Sequence, residues 1–456
     1  MHAFFRALAY SVLLVHVAVA DPVSFDGTRF SSVGRNTDGN GLPSGIEAAV
    51  GNNPYSEVVI PVAGGDWQVG DVLVGNWNDP TNTLFGQGNT LTLVRGAAVV
   101  TTYTYPQGGQ CDPKIINTFY NGSGYGFTMA AAWLGNGYVL QCSLPISTGT
   151  EPNAIGPGCC IAINNRGKIV AQFANDAING PWGATSVVDN SNPSANTTLF
   201  ISNVLGVGQS LTPNGGTIQR YSFQVPTSDS GWQSSRFAGR LGGGGSTSPG
   251  SPGTLGHPTQ IFPTGSHTGF HSTPANITGG SVGPAGLAYS PVTDTLYAMG
   301  TVSNPAPQGS MYKIPNPIQC QGTACMRSTF VRCSPNLGGL AQGKCSGCNG
   351  PIGAVFYSGA KGNFIVQANG QDGCINQYSE NGQLVSSLFV DGTVDAAGNN
   401  PGQGNLFNLA FTNINPTPSM LVVDDAANAV FLNPLNVPAG TSPPDTPAAA
   451  GRKLMM

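Results

Sequence analysis

Residues 36–47, Asn36-Thr-Asp-Gly-Asn-Gly-Leu-Pro-Ser-Gly-Ile-Glu47, place oxygen donors at the spacing of a twelve-residue calcium loop. Asn36, Asp38 and Asn40 take positions 1, 3 and 5, and Glu47 can close the shell with both oxygens at position 12. Gly41 permits the sharp turn at position 6, and the Leu42 backbone carbonyl falls at position 7. Only Asp38 and Glu47 bring charge, so a Ca²⁺ ion would be held weakly, with Kd of about 10⁻⁴–10⁻³ M. The competing reading is an Asn/Gly-rich turn capping a short helix over 46–50.

Other candidate chemistry is sparse. His257, His267 and His271 lie in a Gly-, Ser- and Pro-rich stretch, and Gly269 opposes the helix that would let His267 and His271 share a metal. Asp424 and Asp425 are adjacent, so on a strand they point to opposite faces and form no acid–base pair. Cys345-Ser-Gly-Cys348 has redox or zinc spacing, but no second such pair or nearby His completes a metal set. No catalytic residue is assigned.

Ten cysteines, Cys111, Cys142, Cys159, Cys160, Cys320, Cys325, Cys333, Cys345, Cys348 and Cys374, form one group of four and one of six. An even count following a secretory leader predicts disulfides with no free thiol, in pairings the sequence leaves open. Residues 1–20 have the makings of that leader: Arg6, an apolar run over 7–19, and Ala18-Val-Ala20 before Asp21. Three sequons, at Asn121, Asn196 and Asn276, then become glycosylation sites. The expected location is extracellular. No later apolar run reaches the length of a membrane span.

The elements that must position these groups are strands. Charged residues are 8% of the chain, against about 25% in an average domain. Gly and Pro number 65 and 35 of 456 residues. That profile excludes coiled coils, helical bundles and charged disordered chains, and it suits short strands joined by turns. The formal charge of −4 offers no basic patch for nucleic acid. Gly180-Pro-Trp-Gly183, Gly283-Pro-Ala-Gly286 and Gly350-Pro-Ile-Gly353 each open a unit of strand, polar turn and strand. About six units are expected, starting near residues 67, 127, 182, 285, 352 and 406. Residues 21–59 then form an N-terminal extension and 60–435 the repeat domain. Residues 238–280 form a long disordered insertion between units three and four, and 436–456 a Pro/Ala-rich tail.

These openings, with Asp294-Thr-Leu-Tyr297, Gly70-Asp-Val-Leu-Val-Gly-Asn-Trp-Asn78 and Leu199-Phe-Ile-Ser-Asn-Val-Leu205, resemble the secreted NHL-type six-bladed β-propellers. Residues 36–54 resemble the thrombospondin-type-3 and EF-hand-like calcium loops of extracellular proteins. The resemblance implies an all-β six-bladed propeller that binds an extracellular protein, a glycan or a small molecule, acting as a monomer. Propeller hydrolases of gluconolactonase or strictosidine-synthase type imply the alternative, a divalent metal at the ring centre, with Asp71, Asn76, Asn78, Asp189 and Asn203 as its candidate ligands. The reading favours binding over catalysis. Trp67, Trp77, Trp133 and Trp182 are expected to pack between blades.

Overall fold

The computed structural model describes residues 31–32, 54–77, 88–105, 124–146, 158–204, 216–237, 253–262, 281–302, 310–332, 348–389 and 406–434, less short breaks within these spans. Residues 1–20 of the expected leader, the residues of the 36–47 loop, Asn78, Asn121, Asn276, Asp425, His257, His267, His271, Cys111, Cys333, Cys345 and residues 436–456 lie outside the described residues.

Among the described residues the strands form six sheets, numbered I to VI in chain order, in a β-propeller arrangement. Their innermost strands are Pro54–Val59, Gly124–Gly135, Pro181–Val187, Leu287–Ser290, Pro351–Gly359 and Leu406–Ile414. Each packs on the next in that order, and the last packs on the first, which closes a ring. Short strands with one or two apolar faces cannot shield both alone, and stacking sheet on sheet around a ring does so. Val58, Ile60 and Leu73 of sheet I meet Ala131, Trp133 and Val139 of sheet II in one such layer. Leu199, Tyr221 and Phe223 of sheet III meet Leu140 and Phe173 of sheet II in the next. The layers continue between sheets III and IV, IV and V, and V and VI. No helix among the described residues is long and apolar enough to cross a membrane.

The Gly-Pro-x-Gly motifs open the innermost strands of sheets III and V and lie just before that of sheet IV. At each of Pro54/Ser56, Pro181/Gly183 and Pro351/Gly353 the ladder register slips by one residue. The skipped residue, Tyr55, Trp182 or Ile352, is a bulge, so its side chain leaves the regular alternation. These three pack in a single cluster with Met129, Ala285 and Phe407 from the remaining three segments. Tyr55 stacks on Phe407 with ring centroids 4.2 Å apart and meets Trp182 edge-on at 6.0 Å. The cluster thus plugs the ring at the end where the inner strands begin. The last glycine of each motif faces the next sheet. A Cβ on Gly183, Gly286 or Gly353 would stand 2.3 Å from the carbonyl oxygen of Ala285, Ile352 or Phe407. Only glycine lets these backbones approach so closely.

Two expected boundaries move. The first unit begins at Pro54 rather than near residue 67: Trp67 is buried in the turn between the first two strands of sheet I. The residues assigned to the N-terminal extension therefore supply an innermost strand. They also supply Ser31–Ser32, which pairs with Phe431 and Leu432 on the outer edge of sheet VI. Within the expected insertion, Thr259–Phe262 is the outer strand of sheet III, with Ile261 and Leu255 buried. Its four β-prone residues lie between Pro258 and Pro263, in a stretch whose Gly/Ser composition masks them.

Candidate functional site

Beyond the plug, the ring encloses a channel of about 670 Å³. Every innermost strand contributes to its wall, through residues such as Ala131, Ala184, Leu287, Ala354 and Leu409. The volume lies within the range of small-molecule pockets, about 300–1,000 Å³. Its mouth lies at the far ends of the same strands, where Asp189, Asn190, Asp294 and Asn196 stand in the lining. Trp133 Nε1 donates to Asn190 Oδ1 at 2.9 Å, and Ser186 Oγ donates to the Trp133 carbonyl at 2.5 Å, which fixes this rim between sheets II and III. Asp189 Oδ1 accepts from the Ser191 amide at 3.0 Å, and Asp294 Oδ1 accepts from the Tyr289 hydroxyl at 2.9 Å.

Among the described residues one charged-type residue is buried within the wall. Glu57, on the innermost strand of sheet I, is 6% exposed. Neither of its carboxyl oxygens has a hydrogen-bond partner among the described residues. Desolvation by burial is the sole cause raising its pKa, from 4.5 to about 8. At neutral pH the group is therefore largely the uncharged acid. Among the described residues no Lys, Arg or His lines the channel. Perturbed carboxyls in clefts are characteristic of functional sites, where structure is held against its own stability.

The residues proposed for a central metal do not meet. Asp71 is buried in an ion pair, 2.8 Å from Arg95 Nη2, and also accepts from the Gln68 amide. Asn76 and Asn203 end the second strands of sheets I and III, opposite Pro54 and Pro181 in register. Asn203 Nδ2 donates to the Ala177 carbonyl at 2.9 Å, and Asn76 Nδ2 donates to Thr90 Oγ1 at 3.0 Å. They brace strand ends rather than face the channel. Asp189 alone of the described candidates lines it, at the mouth. Among the described residues no three His, Cys, Asp or Glu side chains gather to hold an ion. The described members of this donor set do not gather at the ring centre to hold a divalent metal.

The tryptophans do pack between sheets, with Trp67 and Trp133 ring centroids 6.4 Å apart and Trp77 and Trp182 at 6.1 Å. Trp133 additionally faces the channel. Cys142 bonds to Cys160, its register partner on the neighbouring strand of sheet II, and Cys320 bonds to Cys325. Cys159, Cys348 and Cys374 are also disulfide-bonded, and no described cysteine is free. Asn196 is exposed at the channel mouth, at the start of the second strand of sheet III. Sequence reasoning passed over Glu57. Its signal was a lone acid in the apolar run Val58-Val-Ile60, within a chain that has only 21 acidic residues.

No protein-family model matches the chain, and no curated protein sequence matches it. Solved structures align over most of its length. Regucalcin from Agrobacterium tumefaciens, a calcium-binding protein, is 13% identical over 87% of this chain and 94% of its own, with a TM-score of 0.41. An α-L-arabinanase from Penicillium chrysogenum is 10% identical over 89% and 98%, with a TM-score of 0.44. Virginiamycin B lyase from Staphylococcus aureus is 10% identical over 84% and 85%, with a TM-score of 0.37. At such identities the likeness is to the overall fold, and no residue role passes from them to this chain.

Proposed function

We propose that this protein is a secreted, disulfide-stapled binding module of the NHL propeller type, whose central channel takes a small, largely apolar ligand. The observation carrying this is the channel itself, closed by the plug at one end and walled largely by apolar groups. Such a pocket supplies apolar contact area, with the polar groups of the mouth to orient what enters. The seven described cysteines in disulfides support an oxidising compartment. The neutral fluorophore N-phenyl-1-naphthylamine should brighten on binding and accept energy from Trp133. Ala184→Trp, which fills the channel, should weaken that binding at least tenfold with the fold retained. Unchanged binding in this variant would place the probe elsewhere and remove the channel from the reading.

Hydrolysis is the second reading, favoured by one feature: burial raises the pKa of the Glu57 carboxyl, as it does for general acids. Turnover of a lactone or ester that ceases in Glu57→Gln would decide for it.

The Ca²⁺ loop at Asn36, Asp38, Asn40, Leu42 and Glu47 is part of the same proposal. Its support is the sequence spacing. Melting temperature should rise in about 10 mM calcium, roughly tenfold over a weak Kd, and Glu47→Gln should abolish the rise. A melt indifferent to calcium in the unmodified chain would leave 36–47 as a turn.

A further inference from the structure

We propose that Asn196 carries an N-linked glycan whose first sugars stand over the channel mouth and set how fast ligands enter and leave. The inference rests on the binding reading above and adds a means of regulating it. Asn196-Thr-Thr198 is the one sequon of the three that falls within the described residues. Strand alternation fixes where its side chain goes. Along Asn196–Asn203, Leu199 and Ile201 pack towards sheet II. Phe200 packs on Leu287 and Leu296 of sheet IV, and Ser202 Oγ donates to the Ala285 carbonyl. Asn196 shares the parity of Phe200 and Ser202, so its side chain leaves the strand on the side of sheet IV. Tyr289, Asp294 and Gln319 of the sheet IV segment line the channel with it. Every other residue of this strand is buried, whereas Asn196 is exposed, which leaves room for a sugar on Nδ2.

The attachment point is rigid. Thr197 Oγ1 donates to the Leu134 carbonyl at 2.7 Å, and Asn136 Nδ2 donates to the Pro193 carbonyl at 3.0 Å. Gln224, the register partner of Asn196, donates to the Ser194 carbonyl at 3.3 Å. These bonds pin the chain on both sides of Asn196, so a glycan rooted there keeps its place instead of swinging with a loop. A glycan is bulky and hydrated, and it narrows the approach to the apolar wall behind it. A ligand seated deep in the channel touches that wall and not the sugars. The glycan therefore raises the barrier to passage and leaves the bound state as it was. Entry and exit slow by the same factor, and affinity is unchanged.

Stopped-flow binding of N-phenyl-1-naphthylamine to the full chain, secreted from a glycosylating eukaryotic host, tests this. Peptide mapping should show a glycan on Asn196, and an unmodified Asn196 overturns the inference. Asn196→Gln should raise the association and dissociation rates together, each about threefold or more, and leave Kd within about twofold. Endoglycosidase trimming of the folded protein to a single sugar should speed the parent towards the rates of the variant. The same treatment should leave the rates of Asn196→Gln as they are, which separates this glycan from any at Asn121 and Asn276. Unchanged rates in the variant, or a change confined to dissociation and Kd, overturns the gate while leaving the channel a binding site. A probe that binds none of these forms sinks the channel reading and the gate with it.

Discussion

Glu57→Gln raises the stability of the folded protein by about 5 kcal/mol at pH 9 and leaves it unchanged near pH 4. The Glu57 carboxyl has a folded pKa of about 8 against an ordinary value of 4.5, so between those values the folded state holds a proton that the unfolded state has released. A folded pKa raised in this way gives stability that is complete below 4.5 and is lost as pH rises through 8. Each unit of that climb costs about 1.4 kcal/mol. Glutamine keeps the shape of the uncharged acid and cannot ionise, so its curve stays flat where that of the parent falls. Denaturant titrations of both proteins at pH 4, 6, 8 and 9 read the difference directly. Parallel curves would mean that Glu57 ionises in the fold at no cost, and its isolation in the channel would be wrong.

Gly353→Ala destabilises the protein by about 3 kcal/mol, the upper range for overpacking. The added methyl carbon would stand 2.3 Å from the Phe407 carbonyl oxygen and 2.9 Å from Asn408 Cα. Both are backbone atoms of the next sheet, so no side-chain rotation relieves the clash, and the two sheets must separate. Sheet separation opens the ring, so the naphthylamine fluorophore should bind more weakly in the same variant. Thermal melting and probe affinity measured together check this, and a melt within one degree of the parent would contradict the close approach.

Much of this ring was legible in the chain before any coordinates. The Gly-Pro-x-Gly openings mark where inner strands bulge and cross close to their neighbours, because proline and glycine are demanded by backbone geometry rather than by packing. Where geometry is looser the signal fades. Pro54-Tyr-Ser56 carries a serine at the position of Gly183, and its hydroxyl donates to Gln141 Oε1 at 2.7 Å instead of yielding space. The first unit was therefore placed a strand late. Asn76 and Asn203 were ambiguous for a different reason: asparagine at a strand end braces a turn and ligates a cation with the same atoms. Strand alternation says which residues share a face. It does not say which of six faces look down a common axis, since that depends on closure between segments far apart in sequence. Glu57 acquires its meaning only there. On an isolated strand it would be an ordinary solvated acid.

Closure has a temporal side as well. Ser31–Ser32 pairs with Phe431 and Leu432, so sheet VI is completed by strands from opposite ends of the described chain. During synthesis the earliest-made of these strands waits roughly tens of seconds for its partner, at the usual rates of elongation. Throughout that interval five sheets can stack while the ring stands open and its channel is an uncovered apolar groove. The edge at Ala429–Pro434, once made, accepts the Ser31–Ser32 strand of its own chain or that of a neighbour with the same hydrogen bonds. Tethering favours the chain's own strand through high effective concentration.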